Sequence, residues 1–428
     1  MGTLLKGLKI IDPAVKRPKK GDILLDGGRI AAIGKAPRGR HRVIDLDGCA
    51  ALPGLIDLHA HLREPGFEYK ENLVSGLRAA VRGGFTDVVC MPNTEPPVDN
   101  KSIVKYLLDR AKLIRLANLH VAGAISRGRA GEVLADIGEM AEQGIAAITD
   151  DGNSVMNARL MRRALEYSRI FGLPVMQHPE DTNLSAGGVM HEGLVSTTIG
   201  LSGIPAAAEE VIVARDIELA ALTGAHLHLT HVSTAGSVEL IRRAKRKKIN
   251  VTCDVTPHHL ALTADAVASF DTSLKINPPL RTKADIAALV RGLRDGTIDA
   301  IATDHAPHAH HEKETSFNDA PFGAIGLESA LPVALTELVH KRKLPLSLIA
   351  EKMSAGPARI FNLPGGKLAV GEPANITVID TAAEWTIDPE RFASLARNCP
   401  FRGAKVKGKV RLVVVDGKIK FQEGETSD

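Results

Sequence analysis

Two histidines separated by a single residue, His59 and His61, stand in the segment DLHAHLREPG. On an extended strand, residues two apart point to the same face, so both imidazoles can reach one metal ion. Taken alone, such a pair binds metal in roughly a third of cases and is otherwise a pair of hydrogen-bonded core histidines. Other potential ligands in the chain must decide between these two interpretations.

Four such ligands follow apolar segments farther along the chain: Asp151, His178, His231 and Asp304. Asp150 is a rival of Asp151, because adjacent residues on a strand point in opposite directions. Imidazoles combined with carboxylates suit Zn²⁺ or a similar divalent ion in a catalytic site. Together with the histidine pair, these positions predict a metal centre far more strongly than any one of them does.

Most of the other histidines are interpreted as structural or exposed. His226 and His228 have the opposite parity to His231 on one predicted strand, so we expect them to face away from it. His310 and His311 lie in the polar segment HAHHEKETSFND, where we expect a solvated loop.

The elements that must position these side chains are eight apolar segments of strand length, which alternate with amphipathic segments of helix length. The predicted strands cover residues 54–61, 86–93, 119–126, 145–152, 173–180, 225–232, 250–257 and 298–308. Eight such units predict a TIM-like (β/α)8 barrel. The potential ligands lie toward the C-terminal ends of their strands, where barrel enzymes place their chemistry.

Both ends of the chain consist of short strand-like segments punctuated by Gly and Pro. Each end is too small to fold alone. We therefore expect residues 1–53 and 366–428 to form one small composite β-sandwich beside a catalytic barrel of residues 54–365. The predicted fold class is α/β.

The bulk composition excludes several classes of protein. With 54 basic and 50 acidic residues, the formal net charge is +4, which gives no reason to expect nucleic acid or a membrane surface as a partner. No segment approaches the roughly 20 apolar residues that span a bilayer, and the N-terminus lacks the apolar core of a signal peptide. Four scattered cysteines without a CxxC pair are typical of reduced thiols. We expect a cytoplasmic protein.

A series of motifs runs along the chain in a fixed order. They are HAHLREPG (59–66), MPNTEPP (91–97), TDDGN (149–153), MQHPE (176–180), LTHVST (229–234), DVTPHHL (254–260), NPPLR (277–281), TDHAPH (303–308) and FGAIGLE (322–328). Over essentially the whole chain this series resembles the dihydroorotases, and more narrowly the bacterial class I form within the amidohydrolase superfamily. The resemblance implies reversible, zinc-dependent hydrolysis of (S)-dihydroorotate to N-carbamoyl-L-aspartate in pyrimidine (UMP) synthesis.

The resemblance also implies two zinc ions per subunit, bridged by hydroxide and Asp151. The ligands of the first ion would include His59, His61 and Asp304, and those of the second His178 and His231. Related enzymes, including hydantoinases, bridge their metals with a carbamylated lysine, but the segment AAITDDGN offers none. The motif favours Asp151 as the bridge, while the residues alone leave Asp150 open.

The resemblance gives Asp304 the catalytic role. It would take a proton from the attacking hydroxide and deliver it to the departing ring nitrogen. An orienting ligand without proton transfer is the alternative role for this residue.

Specificity would rest on the carboxylate of dihydroorotate, which hydantoins and dihydrouracil lack. Arg63 can bind a carboxylate bidentately; its alternative is a surface salt bridge with Glu64. The further substrate contacts implied are His61, Leu62, Asn93, Asn277, His308 and the backbone of Phe322 and Gly323. Of these, Asn93 and His308 would contact the carboxylate, and Asn277 the amide edge of the ring.

Two other functions stay open at this point. A dihydropyrimidinase or allantoinase would share the metal cluster but not the Arg63 and Asn93 contacts. A non-catalytic partner of aspartate transcarbamoylase would be expected to have lost metal ligands, yet all six are present. The partners to be tested are a small-molecule substrate, a second copy in a homodimer and aspartate transcarbamoylase.

Overall fold

The computed structural model describes residues 2–15, 18–35, 37 and 39–424. Among the described residues, five strands precede the barrel. They are β1 (Thr3–Ile10), β2 (Lys19–Asp26), β3 (Arg29–Gly34), β4 (Arg42–Asp45) and β5 (Ala50–Pro53). β1, β2 and β3 pair antiparallel, whereas β4 and β5 pair parallel with β1.

The barrel strands follow and pair in parallel, each with its neighbour in the chain. They are β6 (Leu55–Ala60), β7 (Phe85–Cys90), β8 (Asn118–Gly123), β9 (Ala147–Ile148), β10 (Val175–Gln177), β13 (Leu227–Leu229), β14 (Val251–Val255) and β15 (Ala300–Ile301). A separate two-stranded sheet contains β11 (Met190–His191) and β12 (Gly203–Ile204). A parallel bridge between Ala60, at the end of β6, and His305, shortly after β15, connects the two ends of the barrel sheet. The predicted barrel is confirmed.

Helices flank the barrel strands. They are α1 (Leu73–Gly83), α2 (Lys101–Ile114), α3 (Ile137–Glu142), α4 (Ala158–Ser168), α5 (Leu194–Ile199), α6 (Ala207–Thr223), α7 (Ala235–Arg246), α8 (Pro257–Ala261), α9 (Lys283–Asp295), α10 (His310–Lys313), α11 (Ala330–Ala334), α12 (Leu346–Ala350) and α13 (Gly356–Ile360). Local sequence sets their ends. α9, for example, is capped at its start by Thr282, which forms a capping box with Asp285, and at its end by Gly296 with φ 83°. None of the described helices combines the length and apolarity needed to cross a bilayer.

Two apolar layers hold the barrel strands in place. The larger layer packs strand residues such as Val88 and Leu229 against the helices. The smaller layer draws residues from six of the eight barrel strands, among them Ile56, Val89 and Met176, and fills the inside of the barrel. The barrel is therefore a packed core, and the side chains that are predicted to bind metal stand at one end of it.

Three further strands complete the terminal sheet: β16 (Ile376–Thr386), β17 (Lys405–Val415) and β18 (Lys418–Gln422). β16 pairs antiparallel with β5, so strands from both ends of the chain share one eight-stranded sheet with a core of its own. Gly54 alone separates β5 from β6. The composite domain therefore adjoins the first barrel strand directly, and its limits at 53/54 and 365/366 stay a prediction.

Candidate metal centre and active site

The six predicted metal ligands meet at the C-terminal end of the barrel. His59 lies on β6 and His61 follows it, while the other four follow β9, β10, β13 and β15. All six are buried, the most exposed being Asp304 at 7%. The chain thus brings together side chains that are up to 245 positions apart, as the difference between 59 and 304 shows.

The Asp151 carboxylate lies between two pairs of histidines. Its Oδ2 is 3.1 Å from His59 Nε2 and 3.4 Å from His61 Nε2. Its Oδ1 is 3.8 Å from His231 Nε2 and 4.0 Å from His178 Nδ1. Each carboxylate oxygen therefore faces one histidine pair, which is the arrangement of a bridging ligand.

The Asp304 carboxylate lies beside the first of these histidine pairs, His59 and His61. Its Oδ1 lies 3.1 Å from His61 Nε2 and 3.4 Å from His59 Nε2. The first group is thus two imidazoles and two carboxylates, and the second is two imidazoles and the shared Asp151.

The atoms of this cluster fit metal ions. His59 Nε2 and Asp151 Oδ1 are buried without a hydrogen-bond partner, and a buried polar atom without a partner is costly. The ring nitrogens His178 Nδ1 and His231 Nε2 approach to 2.9 Å, so their lone pairs converge on one place. Divalent cations would satisfy these atoms with the nitrogen and oxygen donors that zinc prefers.

Electrostatics keep the bridging group ionised. Burial raises the pKa of Asp151, but the neighbouring His59 and His61 outweigh it and hold that pKa well below its usual range. Burial lowers the pKa of His59, but the Asp151 and Asp304 carboxylates raise it overall to about 10. Both shifts have one cause: the carboxylates and the His59 ring stabilise each other's charged forms, a role that a bound cation would take over from the protonated ring.

Asp150 is excluded from the cluster by its hydrogen bonds. Its Oδ1 accepts from the backbone N–H groups of Ile125 (2.9 Å) and Ser126 (3.0 Å), and its Oδ2 from the Ser126 hydroxyl. It fixes the turn after β8 instead. Of the two adjacent aspartates, Asp151 alone faces the histidines.

Two of the ligands reach the site through left-handed backbone. His231 has φ 38° and Asp304 has φ 48°, which are sparsely populated values for residues other than glycine and occur where tertiary structure enforces them. Both residues lie beyond the ends of their strands, at Leu229 and Ile301. The strand pattern therefore no longer determines where their side chains point.

This backbone overturns the expectation that His228 faces away from His231. The sheet register pairs His228 with Met176, which lies in the layer inside the barrel. His231 turns to the same side because it follows the strand end. Both ring nitrogens of His228 are bonded, to Thr252 Oγ1 (2.9 Å) and Asp254 Oδ2 (2.8 Å), so its interpretation as a satisfied histidine is confirmed.

The two asparagines that are predicted to contact substrate are tied to the outer nitrogens of two predicted metal ligands. His61 Nδ1 is 2.8 Å from Asn93 Oδ1. His178 Nε2 is 2.8 Å from Glu180 Oε2, which also accepts from Asn277 Nδ2 at 2.7 Å. With these atoms engaged, Asn93 has its NH₂ group for a ligand and Asn277 its carbonyl oxygen.

Arg63 is buried at the same end of the barrel, with Nε donating to Pro307 O at 3.1 Å. Burial lowers its pKa to about 10, so it stays charged at neutral pH. The alternative salt bridge with Glu64 is wrong, because that carboxylate pairs with Tyr106 (2.8 Å) and Arg110 (3.3 Å). The guanidinium Nη edge of Arg63 is left for an anion.

The loop at 308–323 is already braced within the protein. His308 Nε2 donates to Phe322 O at 2.9 Å; burial first, and then Arg63, lowers its pKa to about 3. Gly323 N donates to Lys275 O, and Gly323 O accepts from Asn398 Nδ2. His308 is therefore neutral, and the Phe322 carbonyl keeps one lone pair for a ligand. His310 and His311 are exposed, as expected, but they lie in the short helix α10 and not in a loop.

Leu62, another predicted contact, has its side chain in the apolar core. It is 2% exposed, and a Cβ at Gly76 of α1 would come within 2.6 Å of it. A ligand at this position would meet the Leu62 backbone.

Glu180, Thr230, Asp254 and Arg129 were not predicted as functional residues. Arg129 Nη2 donates to the carbonyls of Asp150 and Asp151 and so fixes the segment that carries the bridging ligand. Glu180 lies in MQHPE and Asp254 in DVTPHHL, so these motifs were the available signal. The spacing of residues in the sequence does not predict which histidine ring nitrogen each of these carboxylates will contact.

Comparisons with known proteins agree with this geometry. A model of the amidohydrolase family matches residues 50–420. The chain is 50% identical over 425 residues to a dihydroorotase from Pelotomaculum thermopropionicum, covering 99% of each chain. It is 49% identical over 427 residues to a dihydroorotase from Syntrophus aciditrophicus, covering 99% of this chain and 100% of that relative.

Solved structures repeat the fold over nearly the full length. An L-hydantoinase (dihydropyrimidinase) from Arthrobacter aurescens superposes with a TM-score of 0.88 at 25% identity, covering 99% of this chain and 96% of that one. A dihydropyrimidinase from Brevibacillus agri superposes with a TM-score of 0.86 at 25% identity, with the same coverage.

A parallel barrel with this ligand cluster, matched by the family model over most of its length, defines the class: the chain belongs to the amidohydrolase family. Within that family the much higher identity to the dihydroorotases than to the hydantoinases places it with the former. It is a cyclic amide hydrolase of the dihydroorotase type.

Proposed function

We propose that the chain interconverts (S)-dihydroorotate and N-carbamoyl-L-aspartate at a centre of two zinc ions, with Asp304 carrying the proton. The observation that supports this most directly is the Asp151 carboxylate, whose two oxygens face two separate histidine pairs. In this scheme His59, His61 and Asp304 hold one ion, and the second pair holds the other.

Bound divalent ions supply a water of lowered pKa and polarise the amide carbonyl. The chain's own residues then do the rest. Asp304 is the more exposed of the two clustered carboxylates, at 7% against 2% for Asp151. It accepts the proton of the attacking water and returns it to the ring nitrogen as the C–N bond breaks. In the reverse direction it accepts the proton of the carbamoyl nitrogen as the new C–N bond closes the ring, and it gives that proton to the carboxyl oxygen that leaves as water.

The polar groups left free in the site match dihydroorotate. The Nη edge of Arg63 binds the carboxylate bidentately, and the Asn93 amide donates to the same group. The Asn277 carbonyl accepts from a ring N–H. Burial makes these contacts decisive, because a ligand that lacks the carboxylate would leave the buried cation unpaired.

The experiment that tests this proposal measures metal content and turnover on the same purified protein. We expect two zinc ions per chain and turnover of dihydroorotate well above that of dihydrouracil or allantoin. Preferred turnover of dihydrouracil or allantoin would instead assign the chain to another cyclic amidase. Full activity after rigorous chelation would contradict the metal centre.

We also propose a cytoplasmic location, since all four cysteines are free and buried as is typical of a reducing compartment. The homodimer and the association with aspartate transcarbamoylase stay predictions. Light scattering at several concentrations checks the first, and co-purification with that transcarbamoylase checks the second. A purely non-catalytic role is disfavoured, because the complete ligand set converges in space.

A further inference from the structure

The carboxylate of Asp254 is buried beneath the metal cluster and touches none of the proposed ions' ligand atoms. It lies on β14 and is 0% exposed. Three donors converge on it: the Thr230 hydroxyl, the His231 backbone N–H and the His228 ring. Two of these donors lead to opposite halves of the metal centre.

The first connection runs through Thr230 to His59. The Thr230 hydroxyl lies 3.1 Å from Asp254 Oδ2 and 2.8 Å from His59 Nδ1. A hydroxyl has one hydrogen, which it donates to the carboxylate, because an ionised carboxylate can only accept. It must then accept from His59 Nδ1–H. With its hydrogen kept on Nδ1, the neutral ring that binds a metal ion would present its lone pair at Nε2, the buried nitrogen that faces Asp151.

The second connection runs through the backbone to His231. The His231 N–H donates to Asp254 Oδ1 at 2.8 Å. His231 is the residue with φ 38°, so this bond holds a backbone conformation that an ordinary residue avoids. That conformation brings the His231 ring to 3.8 Å from Asp151 Oδ1.

His228 supports the carboxylate from a third side. Its Nε2 donates to Asp254 Oδ2 at 2.8 Å, and its Nδ1 accepts from the Thr252 hydroxyl at 2.9 Å. The carboxylate therefore accepts hydrogen bonds from three groups of the protein, two at Oδ2 and one at Oδ1. Its position is determined by packed strands and not by a mobile loop.

We infer that Asp254 is a positioning residue that couples the two halves of the metal centre: it fixes the tautomer of His59 through Thr230 and the backbone of His231 directly. This inference rests on the proposed function, because it concerns the affinity of the proposed ions. Partners of metal-binding histidines typically contribute 10- to 100-fold to metal affinity.

The experiment is a competition titration of the metal-free protein with Zn²⁺ against a chromophoric chelator, giving two dissociation constants. Asp254→Asn is expected to weaken both by roughly 10- to 100-fold, because an amide NH₂ placed at Oδ2 would meet two donors. Thr230→Val should weaken only one ion by about 10-fold or more, whereas Thr230→Ser keeps the hydroxyl and should restore the affinity of the unchanged protein.

Asp87→Asn is the matched control. Asp87 is another buried aspartate on a barrel strand, 1% exposed, and its partners among the described residues are Thr86 (2.7 Å) and His120 (3.0 Å), neither of them a ligand. We expect this variant to lower the melting temperature and leave both dissociation constants unchanged. The visible spectrum of the Co²⁺-loaded protein should change in Asp254→Asn and stay the same in Asp87→Asn.

The outcomes separate the inference from the proposed function. If the unchanged protein binds no Zn²⁺, the proposed function fails and this inference fails with it. If it binds two ions but Asp254→Asn binds them equally tightly, the inference alone is overturned. Should Asp254→Asn not fold, the Thr230 pair decides, and equal affinity in Thr230→Val and Thr230→Ser would refute the connection to His59.

Discussion

The proposed metal cluster and the proposed substrate-binding groups of the same site satisfy their polar atoms in opposite ways. Buried atoms of the metal cluster, such as His59 Nε2 and Asp151 Oδ1, have no hydrogen-bond partner. The substrate-binding groups pair with the protein, as Asn93 does with His61 and Asn277 with Glu180. The polar atoms of the proposed metal cluster would thus be satisfied only by bound ions, whereas the protein already orients the proposed substrate-binding groups before substrate binds. Asn93 is oriented by His61, and Asn277 by Glu180, which contacts His178. We therefore expect a change in the metal cluster to impair substrate binding more than a change in the substrate-binding groups impairs metal binding.

Removal of the ions should have the largest effect. We expect dialysis against a strong chelator to reduce turnover of dihydroorotate by at least about 1,000-fold, since both activation of water and polarisation of the carbonyl are lost. Readdition of Zn²⁺ should restore it. The control is a circular dichroism spectrum that is the same before and after treatment. Turnover that survives chelation would contradict the proposal that the cluster needs metal ions.

Asp304→Asn should have the second-largest effect. We expect it to lower kcat by about 10²- to 10⁴-fold, because proton transfer is lost. Its volume and its neighbours are preserved, so the melting temperature should stay close to that of the unchanged protein. Metal content measured on the same sample distinguishes lost proton transfer from lost metal. If kcat were near normal with both ions bound, Asp304 would be only an orienting ligand.

Arg63→Ala should act on binding. Charge-assisted hydrogen bonds contribute about 1.5–3 kcal/mol, so we expect KM for dihydroorotate to rise by about 10- to 100-fold with a much smaller change in kcat. Arg63→Lys should recover little of this, because an ammonium cannot bind a carboxylate bidentately. An unchanged KM in both variants would mean that another group holds the carboxylate.

The terminal sheet should matter least for catalysis. Leu8 is fully buried in the separate core of that sheet, so Leu8→Ala should lower the free energy of unfolding by about 2–5 kcal/mol. Below the melting temperature, kcat/KM should stay within about two-fold, because the transition state gains nothing from this core. A large loss of kcat/KM in the folded variant would show that the sheet shapes the site.

Much of the fold could be predicted because hydrophobic periodicity is a local signal. The alternation of strand and helix segments predicts the barrel, and the clustering of polar residues toward strand ends predicts where the site lies. The residues at which the strands begin and end were harder to predict. The segments 145–152 and 298–308 contain paired strands of only two residues each, because the chain leaves the ladder early to deliver Asp151 and Asp304.

The residues that converge in the cluster could be predicted from motifs, but the orientation of their side chains could not. Alternation says that Asp150 and Asp151 point oppositely, and only the hydrogen bonds to Ser126 reveal which one faces the histidines. His228 was misplaced because a single left-handed residue, His231, ends the alternation. Roles such as that of Glu180 depend on angles between elements distant in sequence, which spacing does not encode.

Gly54 has a consequence for handling this enzyme. It is the only residue between the terminal sheet and β6, and a methyl group on it would come within 2.2 Å of Thr86 Oγ1. Deleting the C-terminal strands would strip β5 of its neighbour β16 one residue away from the strand that carries His59. The catalytic barrel should therefore resist being trimmed to a minimal core, and fusion tags or surface tethers are better attached through solvent-facing helices than through shortened ends.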